Sequence, residues 1–195
     1  MTKKEFIAQH DIADAMPIDP SRKTLPAESL SFGILEFMEY KFSGIVKVSC
    51  DNISAQSVSV CADYLAYFFK TLLTDIYGRV HLNMVITSDE KGLILMIESD
   101  APLPLTDSEV RELIRLARNG GFEILPDTDS IRLTVGFSPV SYRRVYATTI
   151  RDGKRIMVGK LIEIFCHGKL MNTDPPPPRK MPKPLEKRPS RRKKK

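Results

Sequence analysis

The sequence predicts an α+β two-layer sandwich: a mixed, largely antiparallel sheet with helices on one face. Three observations predict it. Residues 57–77 carry Cys61, Leu65, Phe68, Leu72 and Ile76 at helical spacing on one face. Two apolar runs, Val80 to Thr87 and Leu93 to Glu98, flank the polar loop Ser88-Asp89-Glu90-Lys91-Gly92 and read as an antiparallel hairpin. A second helix pattern, opened by Thr106-Asp107-Ser108-Glu109, leads into further alternating apolar runs.

Taken in order, residues 1–25 mix charges with Pro17 and Pro20 without a sustained period, and are expected to be an irregular arm with room for one helical turn. From Pro26 to about Tyr40 the spacing of Leu30, Ile34, Phe37 and Met38 predicts a helix, with Pro26 suited to its first turn, where a missing N–H costs nothing. Ile45 to Cys50 alternates and runs into Asp51-Asn52, a short strand entering a turn. The long helix follows over Ser57 to Tyr77, with Gly78 as its left-handed stop. After the hairpin and a proline-rich turn, the capping box starts a helix to Asn119, buried through Val110, Leu113, Ile114 and Ala117 and closed by Gly120-Gly121. Strands are expected at Phe122 to Leu125, Ile131 to Phe137 and Arg143 to Thr149; Ile156 to Phe165 reads as either strand or helix. One domain over 26–170 accounts for all of this, followed by a tail at 171–195.

Composition limits the function classes. Hydrophobic content of 42% and charged content of 28% are those of a domain that folds unaided. The longest apolar runs fall far short of the ~20 residues that cross a bilayer, and the first residues lack a signal core, so neither a spanning nor a secreted protein is expected. Cys50, Cys61 and Cys166 form no Cys-x-x-Cys pair, which fits a reducing cytoplasm and argues against structural zinc. His10, His81 and His167 are scattered without ligand spacing. No nucleophile elbow, P-loop or dinucleotide fingerprint occurs, so hydrolase, P-loop and Rossmann functions are not expected.

The net charge of +6 is divided unevenly. Residues 175–195 hold ten basic side chains, Arg179, Lys180, Lys183, Lys187, Arg188, Arg191, Arg192, Lys193, Lys194 and Lys195, against Glu186 alone. The tail therefore carries +9 and the body −3. Pro175 to Pro178 forms a stiff spacer, and the tail has too few apolar residues to fold, so disorder is expected there. Such a segment can grip RNA, DNA or another anionic surface by charge alone. Lacking aromatic residues, it is not expected to read bases.

Over residues 44–137 the order strand, long helix, hairpin, acidic polar turn, shorter helix and closing hairpin resembles the GHKL ATPase family, which includes the ATP-binding domains of histidine kinases, anti-sigma-factor kinases, gyrase and heat-shock chaperones. The family's long helix carries an Asn-x-x-x-Asn pair whose second member helps hold magnesium beneath the triphosphate. The resemblance puts Thr71 and Asp75 at those positions. The family's Asp-x-Gly-x-Gly run supplies an adenine-reading aspartate, placed here at Asp100, or at Ser99 with the register moved by one. Both glycines of that run are absent in either register, and leucine and proline are poor substitutes where backbone approaches a ligand. Gly120-Gly121 stands where a phosphate-covering lid would begin and is equally well explained as a helix stop. His10 precedes this region in a segment too short for paired dimerisation helices, so autophosphorylation is not expected.

The resemblance thus implies a stand-alone signalling or regulatory binding domain with eroded ATP-binding motifs, without catalysis or a resident cofactor, and acting on a protein partner that no motif names. Two alternatives stay open. One is a working anti-sigma-factor-type serine kinase or ATPase using ATP and magnesium, with Asp75 on the metal and Asp100 on adenine. The other is a nucleic-acid-associated protein that works through its tail.

Overall fold

Alternation along two strands decides how the sheet sits. In β4 (Leu82–Asp89), Leu82, Met84 and Ile86 are buried, and in β5 (Gly92–Ser99) so are Leu93, Leu95 and Ile97. Their antiparallel register pairs Met84 with Ile97 and Ile86 with Leu95, so one face is apolar across both strands. The computed structural model, described for residues 1–140 and 149–166, extends this hairpin into a five-stranded sheet. β2 (Val46–Asp51) runs parallel to β4, and β7 (Arg132–Phe137) and β6 (Glu123–Leu125) continue antiparallel from β5, in the order β2-β4-β5-β7-β6. The other face is exposed or half-buried, from Lys47 and Asn83 to Glu98 and Arg132.

All the long helices cover the apolar face. α2 (Ala27–Phe42) packs on β2 and on α5 (Ile150–Cys166), while α3 (Ala62–Ile76) packs on both α5 and α4 (Asp107–Gly120). Their buried side chains join the sheet's in one core. The helix bearing Phe68 and Asp75 therefore lies on the same side of the sheet as the helix bearing Leu113, the arrangement that the predicted two-layer order requires.

Several expectations need correction. Residues 57–60 are not the first turn of the long helix. They form β3 (Ser57–Val60), antiparallel to β1 (Lys23–Pro26) in a small second sheet, and the helix starts after Cys61. Val58 and Val60 are fully buried in this extended run, and the β-branched pair suits a strand better than a helix. The N-terminal segment is more ordered than an irregular arm: α1 (Lys3–Gln9) has its own capping box between Thr2 and Glu5 and buries Phe6 completely. Val110 is 38% exposed, and Leu116 takes its place in the core of α4. Residues 156–165 belong to the helix α5. The predicted strand at 143–149 falls, but for Thr149, outside the described residues, as does the tail at 171–195.

The helix stops are those the sequence indicates. Tyr77, at φ 36°, and Gly78, at φ 72°, turn the chain out of α3, and Gly121, at φ 80°, closes α4. Gly120 has a packing reason as well: a Cβ there would run into the Phe122 ring, and its carbonyl accepts the Cys61 N–H at 2.9 Å, joining the end of α4 to the start of α3.

The α2–α5 contact depends on small residues. A Cβ on Gly153 would stand 2.5 Å from Ser29 Oγ, whereas one on Gly159 in the same helix meets nothing within 4 Å. Gly153→Ala is expected to destabilise the protein by about 1–3 kcal/mol through overpacking. Gly159→Ala should instead stabilise it by about 0.5–1 kcal/mol through helix propensity. Thermal or urea unfolding of the two variants checks the opposite signs.

Candidate functional site

α3 presents two distinct faces. Its apolar face, Leu65, Phe68, Leu72 and Ile76, meets the core, and a second stripe, Asp63, Tyr67 and Lys70, repeats at i, i+4, i+7 on another side. The stripe holds the segment that follows α1. Asp63 accepts the Asp19 N–H at 2.9 Å and pairs with Lys160 of α5 at 3.2 Å. The Tyr67 hydroxyl donates to the Met16 carbonyl at 2.5 Å and accepts the Met16 N–H. Lys70 Nζ donates to the Asp14 carbonyl at 2.8 Å and to the Ile164 carbonyl at 3.2 Å, capping the last turn of α5; burial lowers its pKa.

Asp75 lies farther along α3, with its carboxylate only 8% exposed and bound to the Lys3 ammonium of α1. Arg79, a plausible partner by spacing, reaches the Asp75 backbone carbonyl and the Pro104 carbonyl, each at 3.4 Å, while its guanidinium lies 4.1 Å from the centre of the Tyr77 ring. Lys3 and Arg79 also help hold Glu109 below the usual carboxylate range, after the larger contribution of the Thr106 backbone N–H in the α4 capping box. The N-terminus of α1, the end of α3 and the start of α4 thus converge on one cluster of charges. Thr71 is half-buried one turn earlier, its carbonyl accepting the Thr74 hydroxyl at 3.1 Å.

The second pair of sequence candidates is engaged elsewhere. Ser99 is buried, and its hydroxyl donates to the Ala101 carbonyl and, at 3.0 Å, to the Ile131 carbonyl, tying the end of β5 to the start of β7. Asp100 is exposed and holds His81: one carboxylate oxygen accepts the His81 N–H at 3.0 Å, and the other lies 3.0 Å from Nδ1. The side-chain bond from His81 holds Asp100 below its usual pKa. Asp75 and Asp100 therefore each serve a different partner, Lys3 and His81.

Of the remaining titratable candidates, His10 packs its ring between Phe6, at 4.6 Å, and Phe42, at 5.0 Å, where burial lowers its pKa. Burial pushes the Cys50 thiol up to about 11. No group of three or more His, Cys, Asp or Glu side chains suited to a metal occurs among the described residues. Sequence reasoning missed Lys3, Asp63, Tyr67 and Lys70; only the i, i+4, i+7 spacing of the last three could have flagged them.

No protein-family model and no curated protein sequence matches the chain. Among solved structures it is similar to the cytoplasmic segment of histidine kinase QseC, at 10% identity over 70% of this chain and 90% of that one, with a TM-score of 0.43. It is likewise similar to the Acinetobacter baumannii histidine kinase AdeS, at 10% identity over 70% of this chain and 73% of that one, with a TM-score of 0.43.

The Lys3–Asp75 pair generates a double-mutant test. Lys3→Met should cost about 1–2 kcal/mol, less than a fully buried pair because the lysine is half-exposed. Adding Asp75→Asn should return most of the loss, since an amide leaves no buried charge. Urea unfolding of the single and double variants reads this; a loss undiminished in the double variant would mean that the charge on Asp75 does not hold α1.

Proposed function

We propose that this chain is a regulatory binding domain of GHKL-like layout whose nucleotide site is vestigial. The observation that carries the reading is the occupation of Asp75. The residue at the position where the resemblance expects a magnesium ligand is buried and already neutralised by Lys3, a cation the chain supplies itself. Magnesium would have to displace an ammonium held in place by α1, whose Phe6 is fully buried. ATP would meet a further obstacle after β5: Asp100 is occupied by His81, and Ala101 to Pro104 lack the glycines that let backbone approach phosphate or base. Magnesium and ATP do not fit these residues, and no catalytic step is assigned to them.

The function left to such a body is recognition of a protein partner. The tail supplies a second, separable element. Its +9 charge favours non-specific attachment to RNA, DNA or another polyanion, with affinity that falls steeply as salt rises. No helix among the described residues is long and apolar enough to cross a membrane.

Calorimetric titration of the full chain with a non-hydrolysable ATP analogue and magnesium tests the reading. No binding is expected up to millimolar analogue, for either the wild type or Asp100→Ala. Micromolar binding that Asp100→Ala removes would establish the kinase or ATPase alternative instead. For the tail, binding to a single-stranded oligonucleotide should weaken with salt by about 0.7 log units per decade for each phosphate contacted, and truncation after Thr173 should abolish it. Binding that survives the truncation would place the polyanion on the body.

A further inference from the structure

We propose that His81 is a phosphoryl-accepting histidine, oriented by Asp100 and served by Lys47. Asp100 grips His81 at three points: the carboxylate on the backbone N–H, the carboxylate on Nδ1, and the Asp100 N–H on the His81 carbonyl at 3.2 Å. With Nδ1 donating to a carboxylate, the neutral ring keeps its lone pair on Nε2, the nitrogen that Asp100 leaves unused. The His81 side chain is 74% exposed, so an electrophile in solution can reach it. An aspartate on one nitrogen also stabilises the positive charge that develops when the other attacks.

The surroundings indicate what kind of electrophile fits. His81, Asp100, Asn83, Glu98 and Lys47 line one open depression on the uncovered face of the sheet. Register explains the grouping: Lys47 pairs with Asn83, and Asn83 with Glu98, in one cross-strand row, with His81 and Asp100 two residues along on the same face. The acids in the depression are already engaged. Glu98 accepts from Arg132, with Nε at 2.9 Å and Nη2 at 2.7 Å, and Asp100 is held by His81. Lys47 is exposed and has no ion-pair partner among the described residues, so the uncommitted charge in the depression is positive. A metal would want more ligands than this cluster offers, whereas a tetrahedral anion with an electrophilic centre suits a nucleophile that shares its depression with an ammonium and an amide.

The step balances without an added acid, base or oxidant. With phosphoramidate as donor, the Nε2 lone pair forms the N–P bond, and the donor's P–N bond breaks with its electrons leaving on ammonia. The proton stays on Nδ1, shared with Asp100. The proposal does not depend on the vestigial reading of the nucleotide site, and its test uses no nucleotide.

Full-length protein is incubated with phosphoramidate, and labelling at His81 is timed by phosphorus NMR and peptide mass mapping against a peptide of residues 78–84. His81 in the folded chain should label about tenfold faster than in the peptide, because the tautomer and ring orientation are fixed in advance. Asp100→Asn should bring the rate down to the peptide's, and His81→Gln should remove the label. Lys47→Met, which leaves the β4–β5 clamp untouched, should slow labelling several-fold and answers the question even if Asp100→Asn unfolds. Labelling no faster than the peptide, or a rate unchanged in Lys47→Met, would overturn the proposal and leave His81 and Asp100 as a clamp between strand ends.

Discussion

The structure depends on burying α3 from every side. Each of its fifteen residues is buried or half-buried, including Asp63, Lys70 and Asp75. An amphipathic helix needs cover on one stripe only, and a helix buried all round must find partners for whatever polar groups it carries. Here the sheet, α4 and α5 take the apolar side, and residues 1–19, with Lys160 and the end of α5, take the polar one. Leaving a buried polar group without its partner costs about 1–3 kcal/mol, so the stripe of Asp63, Tyr67 and Lys70 fixes where the N-terminal segment must run. Lys70 links three parts of the chain at once, because its ammonium joins α3, the Asp14 carbonyl and the end of α5.

That constraint bears directly on function. The N-terminal segment that satisfies the stripe carries Lys3 onto Asp75 and Phe6 into the core beside Phe42. A helix face that would otherwise be free to receive a charged ligand is closed by the chain's own residues. The sheet's opposite face is left open, and the His81–Asp100 pair stands there with Lys47. On the proposed reading, recognition falls to the uncovered sheet rather than to the helical layer.

Most of the fold was legible in the sequence because period and punctuation agreed. The hairpin of β4 and β5 had strict alternation and a polar loop, and α4 had both a capping box and a glycine stop. The start of α3 was misread because Ser57 to Val60 abuts the helix without a proline or glycine between them, and Cys61 continues the apolar spacing into a strand. β1 was hidden by its length of four residues and by Pro26, and its partner β3 lies more than thirty residues away. The candidate site was harder to read. The resemblance singles out Asp75, but no local signal connects it with Lys3, 72 residues earlier. His81 and Asp100 are nineteen residues apart, and only the antiparallel register brings them together.

The central claim is that residues 1–19 are an integral layer of the fold. Native-state hydrogen exchange tests it most directly, at the amides of Ala13, Met16 and Asp19, which donate to the Phe165 carbonyl, the Tyr67 hydroxyl and the Asp63 carboxylate. The account predicts that these amides exchange only through global unfolding, with protection equal to that of the β4 and β5 amides. Exchange at the rate of an unstructured peptide would contradict it, and would mean that α3 bears its buried charges without the cover described above.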